Sequence, residues 1–467
     1  MFSKYLEKSK AKLEELVSLL SNDYEYVSIL GVDSRSKKIN TNKYSQIISN
    51  DFLNNECGFV LKINNKGSFF EYSFNNLDNL LDIKKEIDDL YKLNNNLKNK
   101  QIKISGVNET PLIKDFVRES DFDKYNNDDI LSYSKKLCDD ISTKDEKILN
   151  SFVIFLLQDI SKIFVSKKRI LTQNYTWVNG NILVIMSDGK RYVNPREGFY
   201  SNKIKDVMDK LPYKVTRLVN KGNHLLNATK IKPGYYDIIT DPSITGLIAH
   251  EAFGHGLEMD QFVKDRAVAK YHMNENLATD IVNLKDGAAS TFSVASYFFD
   301  DDGILAQDTD ILKDGKLVGG ICDLQSACEL NYNPTGNGRR ESYKNKSYTR
   351  MTNTFIDKGN SNLLDMISKI KHGYFLFETN NGMEDPKNWN IQCTAEYGIE
   401  IIDGKLTNNY VSPCVLSGNV IDLLKSIDMI SNDFEIEGSG SCGKGYKEWV
   451  RVSTGGACLK CKCKLSW

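Results

Sequence analysis

Two histidines five residues apart, His250 and His255, with Glu251 directly after the first, place the tightest constraint on how this 467-residue chain can fold. In the familiar zinc-binding helix the two His ligands are four residues apart, and the Glu between them serves as general base. Positions five apart on a regular helix point about 140° away from each other, so a straight helix cannot aim both rings at one ion. A single π-type turn, bonding residue i to i+5, would return them to one face. Gly254 is the residue best suited to permit that distortion, or a helix end. Asp241 as N-cap and Pro242 at the first helical position begin the helix. Ile244, Leu247 and Ile248 then give it an apolar face. A lone His on such a helix is an ordinary side chain, but the chain has only five His, and two of them flank a Glu here. That arrangement favours a metal site.

A catalytic zinc usually has three protein ligands and keeps a fourth position open for water. Beyond the two His, the residues leave the third ligand open among Glu258, Asp260, His272 and several remote Cys. Proximity favours Glu258, three residues past His255. Glu251 is placed to take a proton from the attacking water. For the transition-state oxygen the candidates are Arg339, Arg340, Tyr343 and His372.

The stretch from His250 to His255, followed by Gly256-Leu257-Glu258, resembles the active-site signature of the TldD/PmbA family of zinc metallopeptidases, specifically its metal-binding TldD-type subunit. Tyr297 to Gly303, Gly336-Asn337-Gly338-Arg339-Arg340, Leu416-Ser417-Gly418 and Gly440-Ser441-Cys442-Gly443-Lys444 agree with the family in the same order. The resemblance implies a Zn2+ site held by His250, His255 and Cys442, with Glu251 as the catalytic base. It further implies a peptide substrate, and a homodimer or a heterodimer with a related PmbA/TldE-type subunit. Rival functions are a non-catalytic peptide-binding or regulatory protein on the same fold, and a zinc hydrolase of a non-peptide amide.

With 61 basic and 62 acidic residues the formal net charge is −1, which supplies no overall drive toward nucleic acid or an anionic membrane. The longest apolar run, Phe152 to Leu157, is far short of the roughly 20 residues that span a bilayer. The first residues lack the apolar core of a signal peptide. A cytoplasmic protein is therefore expected, and its ten Cys are expected to be thiols or metal ligands rather than disulfides.

The pattern predicts an α+β fold: an N-terminal mixed α/β-type domain, residues 1–225, then a β-rich C-terminal domain, residues 226–467, that carries the metal-binding helix. Helices are expected from Phe2 to Leu20, Leu77 to Leu97 and Asp128 to Ile141, the last capped by Asn127. A further helix, capped by Ser201 or Asn202, is expected to stop at Leu211-Pro212. Strands are expected at Tyr24 to Val32, Gly58 to Ile63 and Ser68 to Phe74, then from Phe152 to Met186 with Asn179-Gly180 as a hairpin turn. Asp188-Gly189-Lys190, Asp314-Gly315-Lys316 and Asp403-Gly404-Lys405 have turn chemistry between apolar runs, which argues for antiparallel hairpins. Cys458, Cys461 and Cys463 read as one face of a terminal strand, with Lys460, Lys462 and Lys464 toward water. A zinc knuckle there would need a fourth ligand.

Overall fold

A computed structural model describes residues 2–50, 55–97, 107, 109–289, 293–446 and 448–467. The fold is α+β with a β-rich C-terminal region. The first sheet runs Ser68–Phe74, Glu56–Asn65, Tyr26–Asn42, Ile148–Ser166, Arg169–Ser187 and Leu112–Val117 in spatial order. Alternation along its strands sorts the side chains. Val153, Phe155, Ile163 and Val165 pack under helices Lys4–Leu20, Leu80–Leu97, Asn127–Ser142 and Ile204–Asn227. Phe164, Leu30 and Val32, on the opposite face, pack against Phe299 and Tyr343 of the C-terminal region.

Four local expectations are corrected. Asn179-Gly180 is not a hairpin turn: the two long strands pair from Ile148 opposite Met186 to Val165 opposite Ile170, and Gly180 faces Phe155 in mid-strand. Packing is what calls for glycine here, because a Cβ on Gly180 would stand 2.2 Å from Val207 of the covering helix. That helix, Ile204–Asn227, runs straight through Pro212. Proline removes the N–H that would bond the Met208 carbonyl, and the Tyr133 hydroxyl donates to that oxygen instead, at 2.7 Å. Neither Ser201 nor Asn202 caps the helix. The remote Asp121 carboxylate accepts from the N–H groups of Ile204 and Lys205 at 2.8 and 2.9 Å. The Asn127–Ser142 helix is capped one residue earlier than expected, by Asn126, which forms a capping box with Asp129.

In the second sheet, Gly234–Thr240 pairs parallel with His372–Asp385 and antiparallel with Leu459–Ser466. Asn390–Ile402 and Cys414–Asn419 complete the pairings, so the ring closes as a barrel. Closure removes the free edges that a five-stranded sheet would otherwise expose. Cys458, Cys461 and Cys463 are buried in or beside its last strand, and burial pushes their thiols up. Lys462 and Lys464 are exposed as expected, whereas Lys460 is buried and paired with Asp428 at 2.6 Å. The third sheet runs Lys316–Leu317, Asp308–Lys313, Leu284–Gly287, Asn353–Ile356, Glu448–Gly456 and, at its edge, Glu435–Lys444. Asp314-Gly315 and Asp403-Gly404 make the expected two-residue turns with positive φ at both positions.

A buried ionic joint binds the first sheet to the C-terminal region. Lys62 pairs with Asp302 and Glu71, Lys162 with Asp301, and Arg340 with Glu71. No helix among the described residues is long and apolar enough to cross a membrane.

Candidate metal centre

The Asp241 carboxylate accepts from the N–H of Ile244 at 2.8 Å, and Pro242 opens the helix Pro242–Ile248. The helix then widens into a π turn, Ala249–Gly254, and tightens into a 3-10 turn, His255–Leu257. The wide turn absorbs the fifth residue and brings the imidazole centroids of His250 and His255 to 5.1 Å. Gly254 keeps ordinary helical angles, φ −57° and ψ −55°, so conformational freedom is not what the site asks of it. A Cβ there would lie 1.9 Å from Sδ of Met351. Gly246 serves a similar end, since its Cβ would lie 2.2 Å from the backbone N of Gly455. The bare helix surface thus seats directly on the third sheet.

Cys442 comes from the edge strand Glu435–Lys444 and is buried, with Sγ 3.6 Å from Nε2 of His255. The donor atoms of His250, His255 and Cys442 lie within 4.8 Å of one another, the one such group found among the described residues. Ligand atoms around tetrahedral zinc, at arms of about 2.0–2.3 Å, are about 3.5 Å apart, so this trio needs only a small contraction. The donor set is right for zinc, and Nδ1 of His250 is buried without a hydrogen-bond partner. Burial pushes the Cys442 thiol up, but hydrogen bonds and charge from His250 and His255 outweigh it and hold the thiol well below its usual range. A thiol poised to ionise is a ready metal ligand.

Glu258, the rival third ligand, takes another position. Its carboxylate lies 3.3 Å from Nδ1 of His255 and accepts from Lys444 Nζ at 2.9 Å. Burial pushes Glu258 up, but Lys444 and His255 more than offset this and bring it to about 2. Lys444 also donates to Asp260 and to the Thr349 carbonyl, so Asp260 too is engaged in support. His272 pairs with Glu275 at 2.7 Å. Arg350, fully buried, donates to the carbonyls of Cys442 and Glu448, which anchors the strand end that presents the thiol.

His250, Glu251, His255 and Cys442 line a cavity of about 1430 Å³, whose opposite wall includes Leu156 and Asn181 of the first sheet. None of the four residues considered for the transition-state oxygen is on its wall. Arg339 donates to the Met351 and Arg451 carbonyls, Arg340 pairs with Glu71, Tyr343 packs under Gly58, and His372 pairs with Glu400. They were drawn from sequence by residue type alone, and tertiary partners claim each of them. Glu384, not anticipated, does line the cavity. Neither of its oxygens has a hydrogen-bond partner. Burial above all, then the charges of Glu251 and Glu258, push it up to about 9 against the pull of His255. No motif surrounds Glu384, so the sequence carries no signal for it.

Residues 233–454 match the PmbA/TldA metallopeptidase C-terminal domain. A metalloprotease of Methanocaldococcus jannaschii is 30% identical over 345 residues, 69% of this chain and 73% of that protein. The chain belongs to the PmbA/TldD family. A second relative, described as a zinc metalloprotease TldD homolog of Saccharolobus solfataricus, is 30% identical over 289 residues, 60% of this chain and 63% of that protein. The fold matches the crystal structure of TldE from Thermococcus kodakarensis with a TM-score of 0.76 at 16% identity, over 98% of this chain and all of that one. Among the stretches that resemble the PmbA/TldD family, Asp300-Asp301-Asp302 and Arg340 do not meet His250, His255 or Cys442. Asp301, Asp302 and Arg340 build the ionic joint, and Asp300 accepts from the N–H groups of Ile304 and Gly338.

Proposed function

We propose that this chain is a zinc-dependent peptidase in which His250, His255 and Cys442 hold Zn2+ and Glu251 is the general base. The observation that carries this reading is the convergence of three metal donors, from a distorted helix and a remote edge strand, on the wall of one large cavity. Zinc, when bound, supplies a Lewis acid and lowers the pKa of water. Glu251 follows His250 on the π turn and is pressed against Gly382, where a Cβ would meet its Cγ at 2.6 Å. That contact orients the carboxylate to accept the proton of the attacking water and to return it to the leaving amine.

The substrates are peptides or unfolded segments, because the cavity is walled by two parts of the chain and admits extended backbone more readily than a folded surface. An extended peptide would add to the open edge of Glu435–Lys444, with backbone hydrogen bonds supplying affinity. The assembly would be a homodimer or a pair with a PmbA/TldE-type subunit, which light scattering of the purified chain, alone and mixed with such a subunit, distinguishes.

Metal analysis of the purified protein, combined with a peptide-library digest before and after chelation, tests the reading. One zinc per chain and cleavage that stops on chelation and returns with zinc are expected. Zinc-loaded protein that binds peptides without cutting them would favour the regulatory reading, and cleavage of non-peptide amides alone would favour the other hydrolase.

A further inference from the structure

The metal ligands occupy one part of the cavity wall, and a cation stands close by. Arg451 lies on the strand Glu448–Gly456 opposite Ser441, one residue from Cys442 in the register. Its side chain lines the cavity together with Trp449, which shares its face of the strand and is 53% exposed. The other arginines lining the cavity are spoken for: Arg118 and Arg196 by the carbonyls of Ser296 and Thr379, and Arg217 by Glu197 and Glu378. Arg451 has no carboxylate partner among the described residues. The one side-chain hydrogen bond it makes among the described residues is long, 3.5 Å to the Ser441 hydroxyl.

Arg451 is half-buried, and a guanidinium partly withdrawn from water without a counter-ion is costly, so that such groups are ordinarily paired. Burial accordingly pushes Arg451 down. Its planar fork of donors fits a carboxylate in two parallel bonds, and the Trp449 ring beside it offers an apolar surface for the carbon chain that carries one.

We propose that Arg451 is a specificity-determining residue that binds a carboxylate of the substrate peptide close to the scissile bond. This rests on the peptidase reading above. Arg451 is paired with Ser441, on the face of the two strands opposite the Cys442 thiol, yet both residues line the one cavity; its arm reaches about 7 Å, and extended chain advances about 3.3 Å per residue. The carboxylate therefore belongs to a residue within about four of the cleaved bond. It is either an Asp or Glu side chain or the C-terminal carboxylate, two sources of the same chemistry.

The test uses matched peptides that differ by Glu against Gln at each of four positions on either side of the cleaved bond, and free acids against C-terminal amides. They are assayed for kcat/KM with zinc-loaded wild type, Arg451→Gln and Arg451→Lys, each checked for zinc content. Binding of the same peptides, dye-labelled, to zinc-loaded Glu251→Gln protein is measured by anisotropy, so that the charge preference is read without turnover. Wild type is expected to prefer the acidic member at one position, or the free acid, by about tenfold or more. The preference should fall to about one in Arg451→Gln and survive in part in Arg451→Lys. Side-chain and terminal carboxylates are separated by which pair shows the effect. Equal affinity and equal kcat/KM for acidic and neutral peptides in wild type would overturn the assignment. So would a preference that Arg451→Gln keeps while both members fall together, the mark of a structural role. If nothing is cleaved but acidic peptides still bind preferentially through Arg451, the peptidase reading fails and the anion site stands.

Discussion

Glu258 places a carboxylate oxygen 3.3 Å from Nδ1 of His255, while Nε2 of the same ring faces the Cys442 thiol at 3.6 Å. A single imidazole thus has one nitrogen held by a carboxylate and the other turned to the thiol, the arrangement that in zinc sites sets the tautomer and basicity of a ligating histidine. Lys444, two residues beyond Cys442, closes the circuit by donating to the same carboxylate.

Cys442→Ser is expected to weaken zinc affinity much more than Glu258→Gln, for which a loss of about 10–100-fold is in keeping with loss of a supporting partner. Competition against a chelator of known affinity measures both. Because Cys442 reaches the helix from a distant strand, Cys442→Ser should also lower thermal stability chiefly in the zinc-loaded state. Greater zinc loss in Glu258→Gln than in Cys442→Ser would reverse the two roles.

Glu251→Gln keeps the shape of the side chain and removes its basicity. Zinc content is expected to hold at the wild-type level while peptide turnover falls by about 10²-fold or more. Unchanged turnover in metal-replete protein would take Glu251 out of the chemistry.

Gly254→Ala would drive a methyl group to within 1.9 Å of Met351 Sδ. Overpacking of this kind costs about 1–3 kcal/mol, and it should disturb the π turn that aligns the two imidazoles. Met351→Ala alone opens a cavity, at about 2–5 kcal/mol. The two substitutions together should cost less than their sum, which a double-mutant cycle of denaturant unfolding reads directly. Strict additivity would mean the two side chains do not compete for that space.

Glu71 lies between Arg340 at 3.1 Å and Lys62 at 3.2 Å. Burial alone would push it up, but those two cations hold it at about 2 against an ordinary 4.5. A carboxylate depressed on folding contributes stability that is complete above about pH 4.5 and drains away as the pH falls toward 2. Glu71→Gln leaves the two cations short of a partner, which should cost about 3–5 kcal/mol near neutrality. The gap in melting temperature between wild type and variant should therefore narrow between pH 6 and pH 3. A gap that stays constant over that range would mean the joint does not depend on this charge.

What the sequence determined by itself is local. The five-residue spacing of His250 and His255 is a fact of helix geometry, and it demanded the wide turn that Ala249–Gly254 supplies. Asp241, Pro242 and the Asp-Gly turns act within three or four residues, so their chemistry can be read off a line of text. The tertiary structure decided everything whose partner is far along the chain. Gly180 is a glycine because of Val207, and Pro212 is tolerated because Tyr133 reaches the carbonyl it strands. Asp121 caps a helix that begins at Ile204, and Gly254 makes room for Met351. Glu384 and Arg451 join the cavity only because separate sheets bring them to one wall. Burial and the loss of alternative partners give such residues their chemistry, and both are properties of packed space, with no counterpart in spacing along the chain.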